Sequence, residues 1–382
     1  MAEAVIVAYG RSAVTRGIKG SLAEVNPVDF AAETLAAVVA KVPQLDPAEI
    51  DDVVVGCALP EAKLGLNPAR NIVLRAGLPD AVAGLTVNRF CSSGLQSVAI
   101  ATALIESGMA EVLVAGGVEH MSSPVISEAE EYLDPYLLEH TGAYVPMGVT
   151  AENVAAKWGI SREAMDQMAV DSHARADAAQ AAGRFDAQLV PVTGLVDGRQ
   201  VTVTRDECVR KGTSLEKLAT LPSVFAENGS VTAGNSSPRS DGAAFLVLTT
   251  AEKANKLGLR PLAHLTGFAV AGVAPEYMGI GPSVAVPKLL AQTGMALADF
   301  DTIELNEAFA AQALAVLSDL GLTYADINPD GGALALGHPL GATGAILVIK
   351  AIERLRDAGG GNALVTMCIG GGMGAAGALH VC

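Results

Sequence analysis

Aromatic, charged and sulfur-bearing side chains are all scarce in this chain. Phe, Tyr and Trp make up 4% of the 382 residues, with a single Trp, and charged side chains make up 17%. Positive charge is the scarcer sign: 25 Lys and Arg face 41 Asp and Glu, a formal net charge of −16. That balance argues against a nucleic-acid partner, because a phosphate backbone needs a basic face. It leaves room for a small phosphorylated ligand, which a few local basic residues can hold. The five cysteines, Cys57, Cys91, Cys208, Cys368 and Cys382, are odd in number, widely spaced and without any CxxC or Cys/His cluster. Such usage speaks against a disulfide framework or a metal site and for a reducing compartment. The start, MAEAVIVAYGRS, lacks a basic stretch leading into an apolar one, so a cytoplasmic location is expected. The uncharged run 358–379 is long enough to span a membrane, but its density of glycine reads better as buried strand and turns, so no membrane span is expected.

What the chain has in quantity is apolar surface, 51% of residues. At this length one simple core is not enough, and two or three domains with an extensive subunit interface are expected. Ala4–Ala8, Val53–Val55 and Glu111–Ala115 read as strands. Asn26-Pro27 and Asn67-Pro68 open helices, the second closed by Gly77. Strands alternating with helices imply an α/β fold with a mostly parallel sheet.

The organising stretch is 84–108, AGLTVNRFCSSGLQSVAIATALIES. A short strand leads to Cys91, and an Ala-rich helical run follows. A cysteine at a strand-to-helix turn faces unpaired N–H groups and the positive end of the helix dipole, which favour the thiolate. Taken alone, the stretch fits a nucleophile or a buried core cysteine equally well.

Residues 121–240 change character: an acidic segment at 128–140, Ala-rich helices over 150–182, and a hairpin pattern at 188–204. They read as an inserted domain between an N-terminal half (1–120, completed by about 241–262) and a C-terminal half (263–382). The C-terminal half repeats the logic of the first. Strand 301–305 matches 51–55, the turn and helix at 333–357 match 88–108, and His338 stands three residues before Gly341 as Cys91 does before Gly94.

Four segments together resemble the thiolase family: VNRFCSSGLQ at 87–96, NEAFA at 306–310, GGALALGHPLGATG at 331–344 and CIGGGMG at 368–374. GGVEHM at 116–121, PMGVTAENVA at 146–155, GNSS at 234–237, SDGAA at 240–244 and GIGP at 279–282 extend the likeness from residue 4 to the C-terminus. Cys91-Ser92-Ser93 and Pro146-Met147-Gly148 look most like the degradative 3-ketoacyl-CoA thiolases; many biosynthetic members have His-Met-Gly at the second place. The resemblance implies two duplicated βαβαβαββ halves in five αβαβα layers, with an inserted loop domain that binds CoA. Three departures stand out. Arg11-Ser12-Ala13 replaces the usual Arg-Thr-Pro, Pro238-Arg239 follows GNSS, and the 122–145 segment is shorter than in tetrameric members. A homodimer is therefore expected, with a dimer of dimers as the alternative.

A Claisen exchange needs an acyl-carrying nucleophile, a base, donors for two oxyanions and a second acid/base at the α-carbon. The resemblance gives these tasks to Cys91 (nucleophile), His338 (base), Cys368 (second acid/base) and Asn306, which acts through a water and with His338 on the enolate oxygen. The backbone N–H groups of Cys91 and Gly370 form the other oxyanion hole. Each residue also has a plain reading on its own: Asn306 as the cap of a 307–320 helix, His338 as a turn histidine, Cys368 as a core cysteine, and the glycines as tight packing. For CoA, a co-substrate and not a permanently bound cofactor, the resemblance suggests Arg210, Ser237 and the backbone near Ala233, with Met147 and Phe309 along the pantetheine channel. Gly372-x-Gly374-x-x-Gly377 fits a dinucleotide fingerprint, but the chain lacks the helix and acidic residue required after it.

The implied activity is CoA-dependent cleavage of 3-ketoacyl-CoA to acetyl-CoA and a shortened acyl-CoA. The alternatives are condensation of two acetyl-CoA and, outside catalysis, a silent acyl-CoA-binding scaffold. Retention of Cys91, Asn306, His338 and Cys368 counts against the scaffold.

Overall fold

The computed structural model describes residues 2–382. The N-terminal half runs β1 (Ala4–Arg11), β2 (Thr15–Arg16), α1 (Pro27–Val39), β3 (Asp52–Gly56), α2 (Pro68–Arg75), β4 (Ala83–Val87), α3 (Ser93–Glu106) and β5 (Val112–His120). The Asn-Pro signals work as caps: Asn26 accepts from the Val28 N–H and Asn67 from the Arg70 N–H, each with Pro at the first helical position. Between β5 and the next long strand lie α4 (Pro135–His140), α5 (Met147–Trp158), α6 (Arg162–Ala181), the hairpin β6 (Val192–Val196) and β7 (Arg199–Val203), and α7 (Leu215–Ala219). The single Ala-rich stretch is thus two helices. Gly159 ends α5 at a φ of +66°, and the Ser161 side chain caps α6.

The chain then returns through β8 (Ser240–Thr250) and α8 (Ala251–Lys256) into β9 (Ala263–Gly272), α9 (Gly281–Thr293), β10 (Thr302–Leu305), α10 (Ala310–Leu320), α11 (Ala333–Leu336), α12 (Leu340–Ala358), β11 (Gly361–Ile369) and β12 (Met373–Val381). The run 358–379 falls on β11 and β12, an antiparallel pair, so no helix follows the false dinucleotide fingerprint. No helix among the described residues is long and apolar enough to cross a membrane.

The strands form a path β10-β11-β12-β9-β1-β8-β5-β3-β4, with β2 on β8. The two halves repeat one pattern. β3–β5 and β10–β11 are parallel, β5–β8 and β11–β12 antiparallel, and β8–β1 and β12–β9 antiparallel. They meet at a single register pair, Ile6 with Ala263. The third strand of the C-terminal half is reduced to Asn328. Its N–H bonds the Ile303 carbonyl, and its side-chain amide takes the Leu305 N–H and carbonyl as a strand would.

Three apolar clusters define the layers. α1 and α2 cover one face of the N-terminal sheet, α9 and α10 cover one face of the C-terminal sheet, and α3 with α12 lie between the two sheets. Strand alternation shows the sorting: Phe245 and Val247 of β8 face the outer helices, while Leu246 and Leu248 face α3 and α12. The result is the five-layered αβαβα arrangement.

The intervening segment is anchored to β1 by a buried ion pair. Both terminal nitrogens of Arg11 bond the Asp206 carboxylate (2.6 and 2.8 Å), Arg11 Nε bonds Gln188, and the Val14 N–H also donates to Asp206. Removing one partner of such a pair leaves a buried charge uncompensated. Asp206→Ala should therefore lower unfolding stability by about 3–5 kcal/mol, read from the shift of a urea denaturation curve; a change below ~1 kcal/mol would show that Arg11 finds other solvation.

Candidate active site

Four turns meet at the starts of α3 and α12. The first carries Cys91. Phe90 adopts a left-handed φ of +43°, held by its N–H on Asn88 Oδ1 (2.8 Å) and its carbonyl under the Ser93 hydroxyl (2.6 Å). This strained turn sets Cys91 in a short 3-10 turn ahead of α3, buried at 8% exposure. The backbone N–H groups of Cys91 and Gly370 are near enough to its sulfur to favour the thiolate. Gly370 belongs to the second turn, after β11, where Cys368 lies fully buried and close enough to feel the charge of Cys91.

The third turn carries His338. Thr343 Oγ1 lies 2.6 Å from His338 Nδ1 and donates its single proton to the Pro339 carbonyl (2.9 Å). It must therefore accept from Nδ1–H, which leaves the Nε2 lone pair facing the site. There Asn306 Nδ2 stands 3.3 Å from Nε2, and Asn306 Oδ1 has no protein partner. Asn306 does not cap a helix. Its N–H bonds the Thr366 carbonyl at the strand end, and α10 begins only at Ala310 with Phe309 as the N-cap.

The electrostatics depart from the expectation of an activated thiolate. Burial pushes the Cys91 thiol up to about 11, against the pull of the two N–H groups. Burial, with the neighbouring Cys91 charge, raises the Cys368 thiol as well. Burial alone lowers His338 to about 4. At Cys91 desolvation outweighs the nearby backbone donors. Burial thus favours two neutral thiols and a neutral imidazole whose Nε2 lone pair, facing the Asn306 amide, can accept a proton.

Among the CoA candidates, Met147 and Phe309 pack with Met278, Ala308 and Cys368 into one small cluster. Ser237 sits on the same turn, both its N–H and its hydroxyl on the Ala308 carbonyl (3.0 and 2.9 Å). Arg210 and Ala233 are exposed, Arg210 giving its backbone N–H to His173 Nδ1 (3.1 Å). The unusual Arg239 is turned away to the Met121 carbonyl.

The sequence motifs contained further residues that they did not single out. Thr343 fixes the imidazole. The Ser240 hydroxyl accepts the His338 N–H (3.2 Å). Glu307, next to Asn306, is buried and accepts from Ser172, Tyr324, Asn328 and the Leu334 N–H. Glu119 is buried at the end of β5. The available signal was an acid embedded in an apolar motif, GGVEHM for Glu119 and NEAFA for Glu307.

A buried cysteine, a histidine with Nε2 facing the site and a second buried thiol are groups that acyl transfer can use, and the chain comparisons point to an acyltransferase family. The chain matches the thiolase N-terminal domain over residues 4–252 and the thiolase C-terminal domain over 259–381. It is 45% identical over 392 residues to a 3-ketoacyl-CoA thiolase of Bacillus subtilis, covering 100% of both chains. It is 44% identical to a beta-ketoadipyl-CoA thiolase of Pseudomonas knackmussii (94% of each chain) and 40% identical to an acetyl-CoA acetyltransferase of Escherichia coli (98% of each). The crystal structure of Bacillus anthracis acetyl-CoA acetyltransferase superimposes with a TM-score of 0.92 at 39% identity, covering 100% of this chain and 99% of that one. This chain belongs to the thiolase family and is an acyltransferase.

The buried thiol has a kinetic consequence. With a pKa near 11, the thiolate fraction of Cys91 rises about tenfold per pH unit below that value. Alkylation of Cys91 by iodoacetamide in the unliganded protein should accelerate from pH 7 to 10 without levelling off. A plateau with its midpoint near pH 7 would show a preformed thiolate instead.

Proposed function

We propose that this thiolase works in the degradative direction, cleaving 3-ketoacyl-CoA with CoA to acetyl-CoA and a shortened acyl-CoA through an acyl-Cys91 intermediate. The chemistry rests above all on one observation: Cys91 and Cys368, from opposite halves of the fold, lie buried and near enough to influence each other's ionisation, with the N–H groups of Cys91 and Gly370 beside the Cys91 sulfur. Cys91-Ser92-Ser93, Pro146-Met147-Gly148 and the name of the Bacillus subtilis relative support the degradative direction.

Cys91 attacks the 3-keto carbon and its proton passes to Nε2 of His338. The N–H groups of Cys91 and Gly370 take the oxyanion that forms. The Cα–Cβ bond then breaks, leaving the acyl group on Cys91 and acetyl-CoA as an enolate. Asn306, through a water, and protonated His338 hold the enolate oxygen. Cys368 gives its proton to the α-carbon. As a thiolate it then takes the proton of free CoA, whose sulfur attacks acyl-Cys91; the Cys91 sulfur leaves, recovers its proton from His338, and the shortened acyl-CoA is released. CoA is a co-substrate, held by Arg210, Ser237, the backbone at Ala233, Met147 and Phe309, and the working unit is a homodimer. The second reading is condensation of two acetyl-CoA, favoured by the likeness to acetyl-CoA acetyltransferases of Escherichia coli and Bacillus anthracis. Thiolysis rates across 3-ketoacyl chain lengths, set beside the condensation rate, separate the two.

The role of Cys368 is tested by substitution. Cys368→Ala should still take an acyl group from a simple acyl-CoA, seen by intact mass, yet lose thiolysis and α-proton exchange by ~10²-fold or more. Exchange of acetyl-CoA deuterium at the wild-type rate would reduce Cys368 to a core cysteine.

A further inference from the structure

The nucleophile and the base stand on different halves of the fold, and their separation has to be held across the seam between them. We propose that Glu119 is a positioning residue whose carboxylate ties the turn carrying Cys91 to the helix start behind His338. The proposal rests on the reading of Cys91 as nucleophile and His338 as its base.

Glu119 is 1% exposed. Its Oε2 accepts from the Ala58 N–H (2.8 Å) and from the Gly341 N–H (2.9 Å). Its Oε1 accepts from the Leu59 N–H (3.3 Å) and contacts Cys57 Sγ (3.7 Å). Ala58 leads to the nucleophile: its carbonyl accepts from Asn88 Nδ2 (3.0 Å), and Asn88 Oδ1 accepts from the N–H of Phe90, the residue before Cys91. Gly341 leads to the base: it is the second residue of α12, three after His338. Four hydrogen bonds therefore run from the neighbour of Cys91, through one carboxylate, to the helix that carries His338.

A further observation favours positioning over packing. Glu119 has backbone N–H groups and a thiol as hydrogen-bond partners, and burial pushes its carboxyl up to about 7 despite those donors. An acid that costly to bury is a poor choice for filling space, which an apolar side chain would do without the penalty.

The test is the rate of acetyl transfer from acetyl-CoA to Cys91, followed by rapid quench and intact mass over a range of acetyl-CoA concentrations. Glu119→Met keeps the volume and removes the acceptors. It should lower the maximal rate by about 10- to 100-fold, the loss expected for a misplacement of roughly an ångström, with half-saturation unchanged because no CoA-facing residue is touched. Glu119→Gln, whose amide oxygen can take the place of Oε2, should recover most of that loss. Asn88→Ala cuts the same chain of bonds at an exposed position. It should slow acetylation at unchanged half-saturation and add nothing when combined with Glu119→Met. Glu119→Met at the wild-type rate, or Glu119→Gln no faster than Glu119→Met, overturns the proposal. If Glu119→Met does not fold, Asn88→Ala decides, and a wild-type rate there overturns it. Wild-type protein that never acquires acetyl on Cys91 fails differently: it removes the nucleophile reading beneath.

Discussion

The close approach of α3 and α12 is the constraint on which the rest of the molecule depends. The two helices touch almost backbone to backbone. A Cβ on Gly94 would stand 2.7 Å from the Gly341 carbonyl oxygen, and one on Gly344 would collide with the Leu95 backbone. Gly117, on β5, meets Gly341 in the same way. No side chain fits at these points, so the helices can bring their N-terminal turns together only because glycine stands there. Those turns carry Cys91 and His338. The two sheets and the outer helices are arranged around that contact, and the groups proposed for catalysis stand at the helix starts it brings together.

The site that results is unusual in its economy of charge. Burial favours the neutral thiol at Cys91 and Cys368 and the neutral imidazole at His338. What replaces charge is direction. Two N–H groups lie near one sulfur, Thr343 fixes the ring so that Nε2 looks inward, and Asn306 stands over it with one amide oxygen uncommitted. Preorganised dipoles of this kind stabilise charge as it forms and not before.

Local signals in the sequence were read well where local physics decides. The Asn-Pro caps, the β-branched strands and the repeated strand–turn–helix units all lie close to where composition and spacing put them. The four site turns were legible because their residues form dense motifs. Tertiary context decided the rest. The place of Cys91 at a helix start suggested a lowered thiol, but burial pushes it up. Asn306 looked like a cap, yet the chain stays extended through Phe309 before α10 begins. Asn328 replaces a strand with one side chain, which no periodicity reveals. Glu119 and Thr343 act on groups that only folding makes their neighbours, so their motifs marked them without explaining them.

The neutrality of the resting thiols bears on how such an enzyme survives in a cell. Peroxides and stray electrophiles react with thiolates, and a buried pair of protonated sulfurs offers them little to attack. The burial that disfavours the thiolate at Cys91 and Cys368 also screens both sulfurs from the solvent in which such reagents travel, so the two cysteines proposed to do the chemistry are shielded between encounters with substrate.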